Sequence, residues 1–282
     1  MRARLGVMRG ILVFVAAVGC DARDRQPAAA TAPMPSVVTI IITATDFHFD
    51  APDSVPAGLT TLHLVTQGEQ SHQVAMLRIS GGKSFADFLA RIAQPGPPPA
   101  WVTVAGGVDP PRPGGSASVT MELEAGTYAL LCFMAGPDGV PHVLKGMSRE
   151  LRVVPSRAPR AAEPVATDTL TAADLSFTNS APLTAGTRTF LFINKGPQPH
   201  EVVFARLSPG RTAAQMVAWF LRPVGAPPGE LLGGVFAIRP DQRAWVTMEF
   251  TPGEYALICF YPDVVDGRPH AAHGMVRQVT VH

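Results

Sequence analysis

Cysteine is scarce in this chain, which limits the ways in which the fold can be stabilised. The sequence contains three cysteines, Cys20, Cys132 and Cys259. Cys20 lies in the N-terminal segment, so each half of the remaining chain holds one cysteine and no partner for an internal disulfide. A bond between Cys132 and Cys259 is conceivable, but both lie in apolar strand-like runs that a partner from another domain would have difficulty entering. Unpaired thiols of this kind are either buried packing residues or metal ligands.

The chain also lacks an excess of charge of either sign. It has 23 basic and 22 acidic residues, a formal net charge of +1, and no basic run. Nucleic-acid-binding proteins carry a basic patch or stripe, so we expect no nucleic-acid partner. The sequence contains no Gly-x-Ser-x-Gly, His-Glu-x-x-His or phosphate-loop motif, and we expect a protein that is not an enzyme.

Long hydrophobic runs are missing as well. The apolar run at 11–18 is shorter than the ~20 residues of a membrane-spanning helix, and no later segment approaches that length. Three arginines precede this run and Cys20 follows it closely. This arrangement predicts a signal peptide at 1–19, which takes no part in the fold.

The small residues at 17–19, followed by Cys20, resemble a bacterial lipoprotein processing site. We therefore expect Cys20 to be the lipidated first residue of the mature chain, and 20–37 to be an Ala- and Pro-containing tether at the membrane. A plain secretory signal cleaved nearby is the alternative. Both interpretations export the protein, and the first predicts a membrane-anchored lipoprotein in the periplasm or on the cell surface of a bacterium.

What the chain does contain is a repeat with a period of about 128 residues. The segment 46–72 aligns without a gap on 174–200. Farther on, the Gly-x-Tyr stretch at 126–133 matches 253–260, one residue out of step, before the register is recovered. The units of solenoid proteins repeat every ~20–50 residues, so a period this long indicates a duplicated domain.

Both copies have the pattern of short β-strands. The segment 38–44 is rich in β-branched residues, and 60–65 and 189–194 follow Gly-containing turns. The 28 prolines and 26 glycines favour many turns over long helices. One helix with an apolar face is expected in each copy, around Phe88 and around Met216. Such strands predict a sandwich or barrel.

The repeat and its boundaries predict the domain organisation. We expect one domain at 38–155 and a second at 165–282, joined by a short linker at 156–164. The fold class that follows is all-β, with one short helix inserted in each domain.

Each copy contains four side chains of types that bind metals. In the strand at 128–132, period-two alternation directs Cys132 inward together with Tyr128. Imidazole, thiolate and thioether groups are all known metal ligands. The two candidate sets are His72, Cys132, His142 and Met147 in the first copy, and His200, Cys259, His270 and Met275 in the second.

At these positions the chain resembles the cupredoxins, the blue-copper family that includes plastocyanin. Residues 199–204 have the family's Pro-His-x-Val-x-Phe form, and 71–74 have it more loosely. Both copies also contain the family's Gly-x-Tyr-x-x-x-Cys strand and its Pro-His-x-x-x-Gly-Met segment. The resemblance implies two tandem Greek-key β-sandwiches that hold copper, up to two ions per chain, in the two sets named above with each methionine as the axial ligand.

One spacing departs from the family pattern. Cupredoxins usually place two to four residues between the Cys and the following His, whereas nine separate Cys132 from His142 and ten separate Cys259 from His270. The longer loops cost only about 1–1.5 kcal/mol of closure entropy, against roughly 10 kcal/mol for metal binding. Each loop also contains an Asp-Gly pair, which favours a tight reversal of the chain.

The resemblance implies an exported copper protein that transfers single electrons to a redox protein partner or holds copper. Tandem cupredoxin domains also occur in multicopper oxidases and copper nitrite reductases, which add catalytic copper through His-x-His pairs or a His beside the Cys. Neither pattern is present here. The alternative is a copper-free cupredoxin-like binding module of the cell envelope, in which the same residues only pack. An immunoglobulin-like sandwich would require a second Cys across the core.

Overall fold

A computed structural model describes residues 10, 36–94, 96–173 and 175–282. The chain divides into two compact units, Met1–Pro33 and Met34–His282, and Gly10 is the one described residue of the first. The predicted signal peptide, apart from Gly10, and Cys20 lie outside the described residues, as does nearly all of the tether. No helix in the described part of the chain is long and apolar enough to cross a membrane.

The first copy consists of nine strands, an α-helix between the fifth and sixth strands, and a 3-10 helix before the last strand. The strands are β1 Val38–Thr45, β2 His48–Asp50, β3 Ser54–Pro56, β4 Gly58–Thr66, β5 Val74–Ile79, β6 Val102–Pro111, β7 Ser116–Leu123, β8 Gly126–Leu131 and β9 Ser148–Val154. The helices are α1 Phe85–Ile92 and the 3-10 helix His142–Lys145.

The second copy has the same order of elements, except that the described residues contain no counterpart of β3. The strands are β10 Asp168–Ala173, β11 Ser176–Asn179, β12 Gly186–Asn194, β13 His200–Leu207, β14 Gly229–Ile238, β15 Arg243–Phe250, β16 Gly253–Ile258 and β17 Val276–Val281. The helices are α2 Ala213–Leu221 and the 3-10 helix His270–His273.

Two sheets face each other, and each runs through both copies. The eight-stranded sheet has the order β11-β10-β12-β15-β7-β4-β1-β2, and the nine-stranded sheet has the order β17-β16-β13-β14-β6-β5-β8-β9-β3. The copies meet edge to edge, with β7 antiparallel to β15 and β6 antiparallel to β14. The predicted class, all-β cupredoxin-like sandwiches with one α-helix per copy, is confirmed. The domain boundaries at 155 and 165 stay a prediction.

The strands form because their side chains alternate between the core and the outer surface. In β4, Leu62 and Leu64 are fully buried while His63 between them is partly exposed. His63 places its Nδ1 2.7 Å from the Ser118 hydroxyl on β7. In the second copy the corresponding core is aromatic, and Phe190 packs edge-on against Phe250.

The two α-helices cover the outer face of the nine-stranded sheet. Each begins with a capping box, formed by Ser84 and Asp87 in α1 and by Thr212 and Gln215 in α2, which satisfies N–H groups that lack helical partners. Phe88 of α1 is buried against β5 and β8 residues, and Met216 of α2 is buried similarly. The helices therefore occur where the sequence predicted them.

Candidate metal centres

The antiparallel pairing of β5 and β8 brings His72 and Cys132 to the same end of the sandwich. His72 precedes β5 by two residues, and Cys132 follows β8 directly. Their ring nitrogen and sulfur, His72 Nδ1 and Cys132 Sγ, lie 3.9 Å apart. His142 Nδ1 lies 3.1 Å from His72 Nδ1 and 3.4 Å from Cys132 Sγ. All three side chains are fully buried.

The long loop between Cys132 and His142 is folded back as a small hairpin. Ala135 and Pro141 form an isolated antiparallel bridge, and the His142 N–H donates to the Met134 carbonyl at 2.9 Å. At the tip, Gly139 has a φ of +75°. The extra residues therefore form a hairpin whose two ends are adjacent. For this reason a loop of this length still places His142 at the site.

Met147 follows the 3-10 helix and is fully buried. Its N–H donates to the His142 carbonyl at 3.0 Å, and its carbonyl accepts from the Cys132 N–H at 3.4 Å. Backbone hydrogen bonds thus fix Met147 next to both neighbouring candidate ligands. The structure brings all four predicted residues of the first set into one region.

The second copy repeats this arrangement closely. His200 Nδ1 and His270 Nδ1 lie 3.1 Å apart, and Cys259 Sγ lies 3.3 Å from His270 Nδ1. All three are fully buried, as is Met275. The Met275 N–H donates to the His270 carbonyl at 3.0 Å, and its carbonyl accepts from the Cys259 N–H at 3.1 Å. The two sets therefore share the backbone framework as well as the side-chain types.

The remaining ring nitrogens of the first set have partners that the sequence analysis did not name. His72 Nε2 lies 3.2 Å from Asp46 Oδ1, and His142 Nε2 lies 3.0 Å from Gln70 Oε1. Such outer contacts fix the orientation and tautomer of a histidine that binds metal through its other nitrogen. The repeat could have identified these two residues, because Asp46 and Gln70 both lie in the segment that aligns without a gap.

The second set is supported differently. Asp263 Oδ2 lies 3.8 Å from His270 Nε2 and accepts from the Gln198 amide at 2.9 Å. Gln198, which aligns with Gln70, therefore contacts the loop and not the imidazole. His273 pairs with Asp266 at 3.2 Å and is not part of the group formed by His200, Cys259 and His270.

The donor atoms in each group have the spacing expected of ligands to one ion. Within each His–Cys–His group they lie within 4.8 Å of one another, and nearest-neighbour separations are 3.1–3.4 Å. Ligands with metal bonds of about 2.0–2.3 Å to N and S are separated by such distances. These are the two groups of this kind in the described part of the chain, and their donor sets fit copper.

Burial keeps both thiols protonated in the absence of a cation. It raises the pKa of Cys132 to about 12. The pKa of Cys259 is also raised well above its ordinary value by burial, with repulsion from Glu201 adding to the shift. A metal cation reverses this preference, because a coordinating thiol is deprotonated. Metal binding at either group therefore releases a proton.

Three of the four imidazoles have a lowered pKa, which favours the neutral form that binds metals. Burial, together with the neighbouring His72 and Lys145, lowers the pKa of His142 to about 4. The pKa of His72 is lowered by burial, which the contact with Asp46 opposes in part. Burial also lowers the pKa of His270. At neutral pH these imidazoles therefore have a free lone pair, and no proton has to be removed from them before a metal binds.

Neither cysteine is in a disulfide. Cys132 and Cys259 are both free and buried, and each belongs to its own His–Cys–His group. The disulfide that the sequence left conceivable does not form.

No protein-family model and no curated protein matches the chain. Among solved structures, auracyanin B is 20% identical over 43% of this chain and 93% of its own, with a TM-score of 0.32. Reduced auracyanin from the photosynthetic bacterium Roseiflexus castenholzii is 26% identical over 43% and 100%, with a TM-score of 0.28. Copper nitrite reductase from Nitrosomonas europaea is 14% identical over 87% and 93%, with a TM-score of 0.24.

These likenesses are too low to carry the assignment, which rests on the chain's own strand order and sites. Two facing sheets run through both copies. Each copy places a His at or just before the start of one strand, a Cys directly after the neighbouring strand, and a His–Met pair after the following loop. This arrangement is the one that the resemblance implied. The protein consists of two cupredoxin-like copies in tandem.

Proposed function

We propose that the chain binds copper at both His–Cys–His groups and acts as a one-electron carrier or a copper-holding protein. The observation that carries the proposal is that two Nδ1 atoms and one Sγ converge within 4.8 Å twice in the chain. Copper, when bound, supplies a one-electron couple that a mixed imidazole, thiolate and thioether site accommodates.

The burial of the ligands supports a role without catalysis. His72, His142, His200 and His270 are all fully buried. Catalytic metal sites keep a position open for water or substrate, whereas electrons need no such opening. We therefore favour exchange of electrons with a redox protein partner over conversion of a small substrate.

The chain's own residues hold the ligands in position before a metal arrives. His72 and Cys132 are fixed by neighbouring strands, and His142 by backbone hydrogen bonds to the loop. Asp46 and Gln70 hold the outer ring nitrogens of the two histidines. A preorganised set of this kind avoids rearrangement when the charge of the bound ion changes.

Titration of the full chain with Cu(II) tests the proposal. We expect an intense visible band from thiolate-to-copper charge transfer that saturates near two equivalents, one for each group. Ascorbate should bleach the band and reoxidation should restore it. The measurement is absorbance, with bound copper counted after desalting. A protein that binds no copper, or binds it without the band, contradicts the proposal.

One observation favours the copper-free alternative, a binding module of the cell envelope. The ring nitrogens and the thiol already contact one another, with His72 Nδ1 and His142 Nδ1 3.1 Å apart. The first group can therefore satisfy its polar atoms without an ion, since the outer ring nitrogens contact Asp46 and Gln70. The Cu(II) titration separates the two proposals, because only the first predicts the band.

We further propose that the protein is an exported lipoprotein anchored through Cys20. The sequence around Cys20 supports this, with small residues at 17–19 and an apolar run before them. Cys20→Ala should abolish acyl labelling and move the protein from the membrane to the soluble fraction, because the lipid that anchors the chain can no longer be attached. Cys132→Ser is the matched control and should leave the labelling intact. Unchanged fractionation of Cys20→Ala would contradict the anchor.

A further inference from the structure

A cavity of about 560 Å³ lies where the two copies meet in the nine-stranded sheet. Its floor comes from the central strands, including Val104 of β6 and Val203 of β13. Its walls come from the segments after the two cysteines and from the end of α2. The volume falls within the ~300–1,000 Å³ typical of small-molecule sites.

Six of the twenty residues that line this cavity are aromatic. Four of the rings belong to Phe133, Phe236, Phe260 and Tyr261, with Trp219 at the α2 side. Phe133 stacks against Phe236 across the boundary between the copies, with ring centroids 6.3 Å apart. Faces of such rings attract cations because of their quadrupole.

Two buried carboxyl groups, Asp109 and Glu201, also line the cavity. Asp109 is 1% exposed and Glu201 is 4% exposed. Glu201 accepts a hydrogen bond from the Phe260 N–H at 2.8 Å. Asp109 Oδ2 is buried without a hydrogen-bond partner among the described residues. An acceptor of this kind costs free energy unless a ligand satisfies it.

No basic side chain lines the cavity in the described part of the chain. Burial raises the pKa of Asp109 well above its ordinary value, and repulsion from Glu201 adds to the shift. The cavity thus holds two acidic groups that lack a positive partner.

Comparison of the copies shows that each of the two acidic groups occurs in only one copy, Asp109 in the first and Glu201 in the second. The Gly-Gly-Val segments at 106–108 and 233–235 correspond, which aligns Asp109 with Phe236. The gap-free alignment places Glu201 opposite Gln73. The second copy folds with Phe236 where the first has Asp109, and the first copy folds with Gln73 where the second has Glu201. Packing of the duplicated fold therefore does not require either carboxyl group.

We propose that this cavity binds a small organic ammonium ion. The cationic nitrogen lies beside the carboxyl groups of Asp109 and Glu201, and the apolar body of the ligand lies against the rings. Such a ligand supplies the donor that Asp109 Oδ2 lacks and the charge that the cavity lacks. None of the lining residues belongs to the two predicted ligand sets, although Glu201 follows His200 in the chain and its N–H donates to Cys259 Sγ.

Calorimetric titration of the full chain with 2-phenylethylammonium tests this inference. The matched neutral probe is 2-phenylethanol, which has the same ring and arm but no charge. We expect saturable binding of one amine per chain, at least tenfold tighter than the alcohol. The titration uses the chain without added metal, so that its outcome is separate from that of the Cu(II) titration. Absence of amine binding, or equal binding of amine and alcohol, would overturn the proposal.

The variant Asp109→Asn keeps the size of the side chain and removes its charge. We expect its affinity for the amine to fall at least tenfold while its Tm stays equal or rises, because an unpaired buried carboxyl group is lost. Asp50→Asn, at an exposed position on β2, is the control and should bind as the parent does. If Asp109→Asn fails to fold, Glu201→Gln is judged by the same tenfold criterion. Parent-like binding by the folded variant overturns the inference.

Discussion

The double variant Cys132→Ser, Cys259→Ser is expected to lose the visible band of the copper-loaded protein completely. The band requires a sulfur–copper bond, and serine offers only a neutral hydroxyl of similar size. Because Ser and Cys are nearly isosteric, the buried sites should still pack, and the far-UV circular dichroism should be unchanged. The measurement is absorbance after addition of two equivalents of Cu(II), one for each group.

The single variants rank the two sites. Cys259→Ser should remove more of the band than Cys132→Ser, because residues 199–204 follow the cupredoxin pattern more closely than 71–74 do. The structure adds a difference of its own, since the Glu201 N–H donates to Cys259 Sγ at 3.5 Å. Such hydrogen bonds around the sulfur tune a copper–thiolate site. Equal losses from the two variants would mean equivalent sites.

His273→Ala provides the matched control for these variants. His273 lies three residues after His270 and is a further imidazole close in sequence to the second site. Its Nε2 instead pairs with Asp266, 3.2 Å away. We therefore expect the band of His273→Ala to keep the parent intensity. A loss as large as that of Cys259→Ser would place His273 among the ligands and contradict the assigned set.

Gly107→Ala should be among the most destabilising single substitutions in the protein. Gly107 has a φ of +141°, a conformation that side chains rarely adopt. A Cβ there would also overlap the carbonyl oxygen of Val74 on the neighbouring strand. Because this obstacle is backbone, it cannot move without disturbing the pairing of β5 and β6. We expect a loss of about 3–5 kcal/mol in the free energy of unfolding.

Gly58→Ala measures the cost of the unfavourable φ alone, without the overlap with a neighbouring carbonyl that Gly107→Ala also creates. Gly58 has a similar φ of +131°, but a Cβ there would meet nothing within 4 Å. This control should lose only about 1–3 kcal/mol, the usual cost of an unfavourable backbone conformation. Guanidinium unfolding measures both variants. Equal losses would show that the overlap with Val74 contributes nothing. Gly234→Ala should behave like Gly107→Ala, since it meets Val202 in the same way.

Much of the candidate site could be predicted from local pattern. Alternation along the strand at 128–132 directed Cys132 inward, and the structure buries it fully. The Asp-Gly pair in the loop predicted a reversal before His142, and the chain does return there through the bridge between Ala135 and Pro141. Both predictions depend only on neighbouring residues, whose geometry is fixed by strand periodicity and turn chemistry.

Partners distant in sequence could not be predicted in the same way. Asp46 and Gln70 were visible in the repeat, but nothing local shows that their side chains contact His72 and His142. Burial of Asp109 was equally unexpected, because an isolated acidic residue at the end of a strand is usually exposed. Its burial follows from the pairing of β6 with β14, a contact between different copies.

The sequence alone determined the duplication, the β-class and the two sets of candidate ligands, because each is a pattern of residue type and spacing along the chain. Only the tertiary structure decided that both sheets continue from one copy into the other, and that the junction encloses a cavity with two acidic groups. Strand periodicity specifies which face of a strand is buried. It does not specify which strands pair, because the backbone N–H and C=O groups at a strand's edges are the same for nearly every residue. Which edges join is therefore set by the packing of the whole molecule.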